Sequence, residues 1–207
     1  MKLLIAGAGG HGRVVADAAL ASGRYAAVAF LDDRQRGLVI PGDWPVIGGI
    51  ESLAAHIGQY DAFAAAFGDA GLRQSCLERA TSLGFNVSPI IHPSAVVSRF
   101  SSLGPGTTVL AGGIVNIGAR LGAACIVNTG ATVDHDCLLG DAVHVCPGAH
   151  LAGNVSIGSR TWFGIGAVAR HGVRIGAEVM VGAGAVVVAD VPDHSVVVGN
   201  PAKPMAR

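Results

Sequence analysis

Between residues 91 and 187 the chain repeats one apolar beat every six positions. The anchors run Ile91, Val97, Leu103, Val109, Val115, Leu121, Val127, Val133, Leu139, Val145, Leu151, Ile157, Phe163, Ala169, Ile175, Val181 and Val187. All but Phe163 and Ala169 are Val, Ile or Leu. Four residues after each anchor comes a small or β-branched side chain, as at Ala95, Thr107, Ala119, Ala131, Val143 and Ala167. That position and the next anchor are two apart, so in short strands both point to one side. A slower period lies on top: Gly104, Gly122, Gly140, Gly158 and Gly176 recur every 18 residues, each just after an anchor. Three hexads therefore make one coil, and coils stack at about 4.8 Å. The pattern predicts a triangular parallel β-helix of between five and six coils over residues 91–190, with a tail over 191–207. Anchors fill the triangle, small residues leave them room, and glycines sit at corners where the backbone turns sharply. Each coil buries its apolar face only against its neighbours, so the array stands or falls together.

Residues 1–90 follow a different pattern, alternating strand-like and helix-like pieces. Lys2–Ala6, Ala26–Leu31 and Ala62–Phe67 read as strands. Gly12–Ser22, with Val14, Val15, Ala18 and Ala19 on one side, reads as a helix, as do Ile50–His56 and Gly71–Leu83. A loop carries Pro41, Trp44 and Pro45. This is a small Rossmann-like α/β unit with a parallel sheet.

Composition narrows the function. Lys+Arg and Asp+Glu are both 14, so net charge is zero and no basic excess exists to neutralise nucleic-acid phosphates. Charged residues are 14% of the chain and hydrophobic ones 51%, a surface poor in charge that points to an oligomer. No apolar run reaches the length of a membrane span, and no signal peptide is evident. The four cysteines, at 76, 125, 137 and 146, form no CxxC pair, so reduced thiols and a cytoplasmic location are expected.

Two constellations carry chemistry. Gly7-Ala8-Gly9-Gly10-His11-Gly12 follows a strand and opens a helix, the setting in which backbone amides cradle phosphate. Asp32 and Asp33 end the second strand, where they could take ribose or base hydrogen bonds. Ninety residues are too few for a full dinucleotide domain, so a mononucleotide or nucleotide sugar fits better; a tight turn with no ligand would use the same glycines. The second constellation is Asp134-His135-Asp136 within the β-helix. His135 lies two residues past its anchor and should face outward, with a carboxylate beside it to fix its tautomer and raise its basicity; a solvent-facing polar turn is the plainer alternative. Residues 18 apart share a column, so Gly153 lies one coil beyond His135 and leaves an open groove and an exposed amide, with His171 two coils beyond, about 10 Å away. His144 is half a coil from His135, and the two could meet only across a subunit boundary. His150 and His194 have weaker claims, and His56 and His92 look structural. No column holds a convincing ligand set, so no metal is expected.

The segments Gly9-Gly10-His11-Gly12, Leu31-Asp32-Asp33, Asn128-Thr129-Gly130, Asp134-His135-Asp136-Cys137, Gly140-Asp141-Ala142-Val143-His144-Val145, Ala152-Gly153-Asn154 and Val198-Gly199-Asn200-Pro201-Ala202-Lys203 are similar to those of the sialic acid O-acetyltransferase and bacillosamine-type sugar N-acetyltransferase group. The resemblance spans essentially the whole chain. It implies a left-handed β-helix, a homotrimer, and acetyl-CoA as co-substrate. It further implies that His135 is the general base, that Asp136 orients it, and that His144 and the Gly153 amide lie near the acetyl thioester. Gly9, Gly10, His11, Gly12, Asp32 and Asp33 would hold the nucleotide of an activated amino sugar. The expected activity is N-acetylation of a UDP- or GDP-linked amino sugar by direct transfer. O-acetylation of sialic acid, or a non-catalytic scaffold that binds a nucleotide sugar, are the other readings.

Overall fold

The computed structural model describes residues 1–205. Its N-terminal lobe runs β1 (Lys2–Ala6), α1 (Gly10–Ala21), β2 (Ala27–Leu31), β3 (Val39–Ile40), β4 (Trp44–Gly48), a 3-10 helix (Ile50–His56), β5 (Ala62–Ala65) and α2 (Ala70–Ser82). The sheet order is β3-β4-β2-β1-β5. β1 pairs in parallel with β2 and β5, and β4 in parallel with β2. Leu3 to Ala6 are all buried because both faces of this central strand are covered. Leu3 and Ile5 pack with Val15 and Ala19 of α1, while Leu4 and Ala6 pack with Cys76, Leu77 and Ala80 of α2.

Three details depart from the sequence reading. α1 starts at Gly10, two residues before the expected Gly12, because its glycine-rich first turn carries no apolar signal. Val14 is exposed and Ala16 buried in its place, as the spacing Gly12, Val15, Ala16, Ala19 requires of one helix face. The expected loop around Pro41, Trp44 and Pro45 holds β3 and β4, a short antiparallel pair at the sheet edge where a proline is tolerated.

The β-helix behaves as its period dictates. Every anchor is the second residue of a two-residue strand, from Ile90–Ile91 to Val186–Val187. Strands pair in parallel with those 18 residues away, as Ile114 with Thr132 and Thr132 with His150. The strands form three sheets, one per face. Anchors from Val109 onward, with Cys125, Ala131 and Cys137, make one continuous buried core. Segment 191–205 continues the third sheet: Val196–Val198 pairs in parallel with Met180–Val181, and Lys203–Pro204 returns antiparallel.

The 18-spaced glycines have a different cause from the one expected. Their φ angles are not in the left-handed region; the turns that adopt it lie elsewhere, at Gly106, Gly130 and Gly148 and at non-glycine Ala124, Asp136, Ala142 and Asn154. A Cβ on Gly104 would collide with the backbone of Gly122, and one on Gly158 with Gly176 and Ala177. The next coil lies against them, and only a bare backbone leaves room.

The lobes share their packing. Ile90 and Leu110 join the cluster beneath α1, and Ala124 and Ala142 join the one beneath α2. Arg73 of α2 is 1% exposed and spans the joint. It donates to the carbonyls of Ala124 (2.8 Å) and Ala142 (2.7 Å) on successive coils, and to those of Phe67 (2.7 Å) and Gly68 (3.1 Å).

Candidate active site

The glycine loop opens on a cleft of about 520 Å³ lined by Gly9, Gly10, His11, Asp32, Asp33 and Phe67 among others. Gly7 has φ +99°, and a Cβ on Gly12 would strike the Gly7 carbonyl oxygen, so these two glycines make the strand-to-helix turn possible. Gly9 and Gly10 would meet nothing within 4 Å, so their backbone faces open space. Gly9 caps α1 without a side-chain bond, leaving the helix N-terminal amides free for a phosphate.

The two acids divide the work. Asp32 accepts from the backbone N–H of Ala8 (2.9 Å), Arg34 (2.8 Å) and Gln35 (3.1 Å), so its carboxylate builds the cleft wall. Asp33 accepts from Ile50 N–H (3.0 Å) and Arg36 (3.1 Å), and the Ile50 bond leads in holding its pKa down. Asp33 stays exposed and ionised at the cleft.

A second cleft, of about 540 Å³, lies between the start of α2 and the β-helix, lined by Asp69, His144, Arg160, Trp162 and Met180. Gly68 lines both clefts. His144 occupies the first position of its strand, which points out of the coil, yet it is 5% exposed because the N-terminal lobe covers it. Its ring meets Trp162 edge-on at 4.4 Å and faces His11 at 6.0 Å between centroids. Burial lowers the His144 pKa to about 3 and the His11 pKa to about 4, with the Arg73 charge adding to both. Both histidines are neutral near neutral pH.

His135 stands apart from this pair, at the turn between the strands Thr132–Val133 and Leu138–Leu139. Its Nδ1 is 2.9 Å from Asp136 Oδ2, and that bond is the main reason its pKa is raised. Asp136 reaches it from a left-handed turn at φ +58°. Asp134 accepts instead from the His135 backbone N–H (2.7 Å) and from the Asn116 side-chain amide (2.7 Å). Gly153 is buried, not open as expected: the imidazole lies over it, and a Cβ there would clash first with Nε2. The same space lets His171 lean in, so the two rings are 6.1 Å apart rather than the predicted two-coil distance.

The structure thus gathers His135, Asp136 and Gly153 at one place and Gly9, Gly10, His11, Gly12, Asp32 and Asp33 at another. His144 joins His11, not His135. His92 and His150 bond to Ser94 and Thr132, and no metal-holding cluster occurs among the described residues. Burial pushes the thiols of Cys137 up to about 11 and of Cys125 and Cys146 to about 12, so these three stay protonated near neutral pH. The sequence reading missed Arg73 at the joint and Arg160 and Trp162 in the second cleft. Trp162, Arg160 and Arg73 carried no signal beyond their hexad or helix positions.

The sequence matches two families, the PglD N-terminal domain over residues 2–80 and the bacterial transferase hexapeptide (six repeats) over residues 154–189. No curated protein matches it. Among solved structures it is similar to the acetyltransferase domain of PglB from Neisseria gonorrhoeae in complex with acetyl coenzyme A, at 46% identity and TM-score 0.95 over 99% of this chain and 98% of that one. PerB from Caulobacter crescentus, in complex with CoA and GDP-perosamine, is 42% identical with TM-score 0.93 over 100% of this chain and 98% of its own. WeeI from Acinetobacter baumannii is 25% identical with TM-score 0.87 over 99% of this chain and 100% of its own.

Proposed function

This chain belongs to the hexapeptide-repeat acyltransferase family of PglB and perosamine N-acetyltransferase; it is an acetyl-CoA-dependent N-acetyltransferase of nucleotide-linked amino sugars, and we propose that it works by direct transfer with His135 as general base. One observation carries the assignment of the base: the imidazole is tied to Asp136 through Nδ1 and lays Nε2 over a glycine. The bond to Asp136 fixes the tautomer that leaves Nε2 free to accept a proton.

The nucleotide diphosphate lies at the Gly9–Gly12 amides, and Asp33 faces the nucleoside. The sugar amine attacks the thioester carbonyl carbon while His135 Nε2 takes its proton. The N–H of Gly153, which has no partner within the described residues, is the candidate donor to the developing oxyanion. Collapse forms the amide, breaks the C–S bond, and the imidazolium returns the proton to the departing CoA thiolate. The high cysteine pKa values argue against an acyl-enzyme.

His135 sits at a corner of the β-helix and His144 on a face half a coil away, so the site closes when a second copy brings its His135 to the cleft of the first. Over several coils the β-helix leaves apolar side chains exposed at Phe100, Ile117, Leu138 and Ile165, side chains a homotrimer would cover. Light scattering should give about three times 20.7 kDa; a fully active monomer would exclude this assembly. A left-handed coil and a cytoplasmic location belong to the same reading, and no helix among the described residues is long and apolar enough to cross a membrane.

Assays of UDP- and GDP-linked amino sugars with acetyl-CoA, read by thiol release and product mass, test the activity and identify the sugar. His135→Ala should lower turnover roughly 10²–10⁴-fold with ligand affinities retained. Near-wild-type turnover in H135A, where chemistry limits the rate, removes His135 as the base.

A further inference from the structure

Resting on that reading, we infer that Asn128 is a positioning residue that holds His144 as an Nδ1–H donor to an oxygen of the bound substrates, the thioester carbonyl in the proposed reaction. The argument is one of hydrogen-bond direction. The Thr129 backbone N–H, which can only donate, lies 2.8 Å from Asn128 Oδ1. That fixes the amide orientation, so the group 3.0 Å from His144 Nε2 is the Asn128 NH₂, again only a donor. Nε2 must therefore present its lone pair. A neutral imidazole so engaged carries its proton on Nδ1.

Burial keeps the ring neutral, so this tautomer is not replaced by an imidazolium at working pH. The Nδ1–H itself has no partner and is shut off from solvent, as is Nε2 of His11. The rings, 6.0 Å apart between centroids, are not bonded to each other. An unpaired buried donor costs on the order of 1–3 kcal/mol. A site retains one where a ligand atom completes it. His144 lines the second cleft and His11 the first, and the two clefts share Gly68. An oxygen delivered there completes the His144 donor. His144 then adds to the Gly153 amide as a hydrogen-bond donor and never acts as a base. Asn128 touches no substrate in this scheme; it acts through His144.

The test is the ring tautomer together with kinetics. In protein labelled with ¹⁵N-histidine, long-range ¹H–¹⁵N correlations distinguish a protonated from an unprotonated ring nitrogen, and the His144 signals are identified by their loss in His144→Gln. Wild type should show Nδ1 protonated and Nε2 bare. Asn128→Asp replaces the donor by an acceptor and should move the proton to Nε2. Turnover should fall roughly 10–100-fold while KM for the nucleotide sugar stays within about threefold and His135 keeps its pH profile. Asn128→Ala, which removes the direction without reversing it, should give mixed tautomers and an intermediate turnover. A wild-type His144 protonated on Nε2 overturns the inference, even if the variants do not fold. So does wild-type turnover in a folded N128D whose tautomer has switched. The spectrum needs no substrate, so wild-type protein that shows the expected tautomer but acetylates no nucleotide sugar would sink the proposed function separately.

Discussion

At the scale of single residues, Gly153 has no room for a side chain beneath the His135 ring. A methyl group there falls on the His135 ring, which must swing away from its line to Asp136. A misplacement of about 1 Å in a reacting group costs roughly 10² in rate. Gly153→Ala should therefore lose about two orders of magnitude in turnover, with nucleotide-sugar KM and melting temperature nearly unchanged. Steady-state kinetics with wild-type values would show that the ring does not need its glycine. The column of His135, Gly153 and His171 was legible in the sequence because an 18-residue period is written into the covalent chain. The lean of the two histidines over the glycine was not, since a period fixes backbone spacing and says nothing of rotamers. His144 shows the same boundary: the hexad tells whether a side chain points into or out of the coil, not what covers the outside.

At the scale of elements, the coils were the readable part and the contact of α2 with them was not. Coil pairing repeats one local rule, whereas Arg73 follows from a carbonyl supply that no pattern in α2 announces. The left-handed turns at Ala124 and Ala142 leave their carbonyls facing the helix, and one guanidinium serves both. It has no carboxylate partner among these bonds, and burial lowers its pKa to about 10, still well above neutrality. Arg73→Met keeps the volume and removes every donor. The Ala124 and Ala142 carbonyls then stay buried without their partner, at a cost of about 2–6 kcal/mol. Urea denaturation should move the midpoint down accordingly, and Arg73→Lys should recover only part of the loss. A midpoint equal to wild type would mean that water replaces the guanidinium. The missed strands β3 and β4 belong at this scale too: a short edge pair with Pro45 has turn composition whether or not it bonds to a sheet.

At the scale of the whole molecule, folding holds two neutral histidines between the lobes, and this sets a pH dependence. In the unfolded chain both bind protons below about pH 6.5. In the folded chain they do so only near 4 for His11 and 3 for His144. Between those limits the unfolded state carries more protons, so stability falls as pH falls, by at most about 1.4 kcal/mol per pH unit for each histidine. The melting temperature at pH 5 should lie below that at pH 7, and His11→Asn should flatten the decline. An unchanged slope in H11N would place the proton uptake elsewhere. This dependence was invisible in the sequence, where His11 belonged to a glycine loop and His144 to a hexad, more than a hundred residues apart.

The pairing of each strand with the one eighteen residues along also governs how such a chain can change its length over evolutionary time. Insertions and deletions are quantised. One extra residue in a coil puts every later anchor out of step with its partner below, whereas a whole coil gained or lost restores the register. Not all places for a whole coil are equal. One added after Val181 leaves both clefts and the His135 column as they are. One added between Ala124 and Ala142 parts the two carbonyls that Arg73 holds together. On this geometry an added coil fits towards the C-terminal end and breaks the joint beside α2.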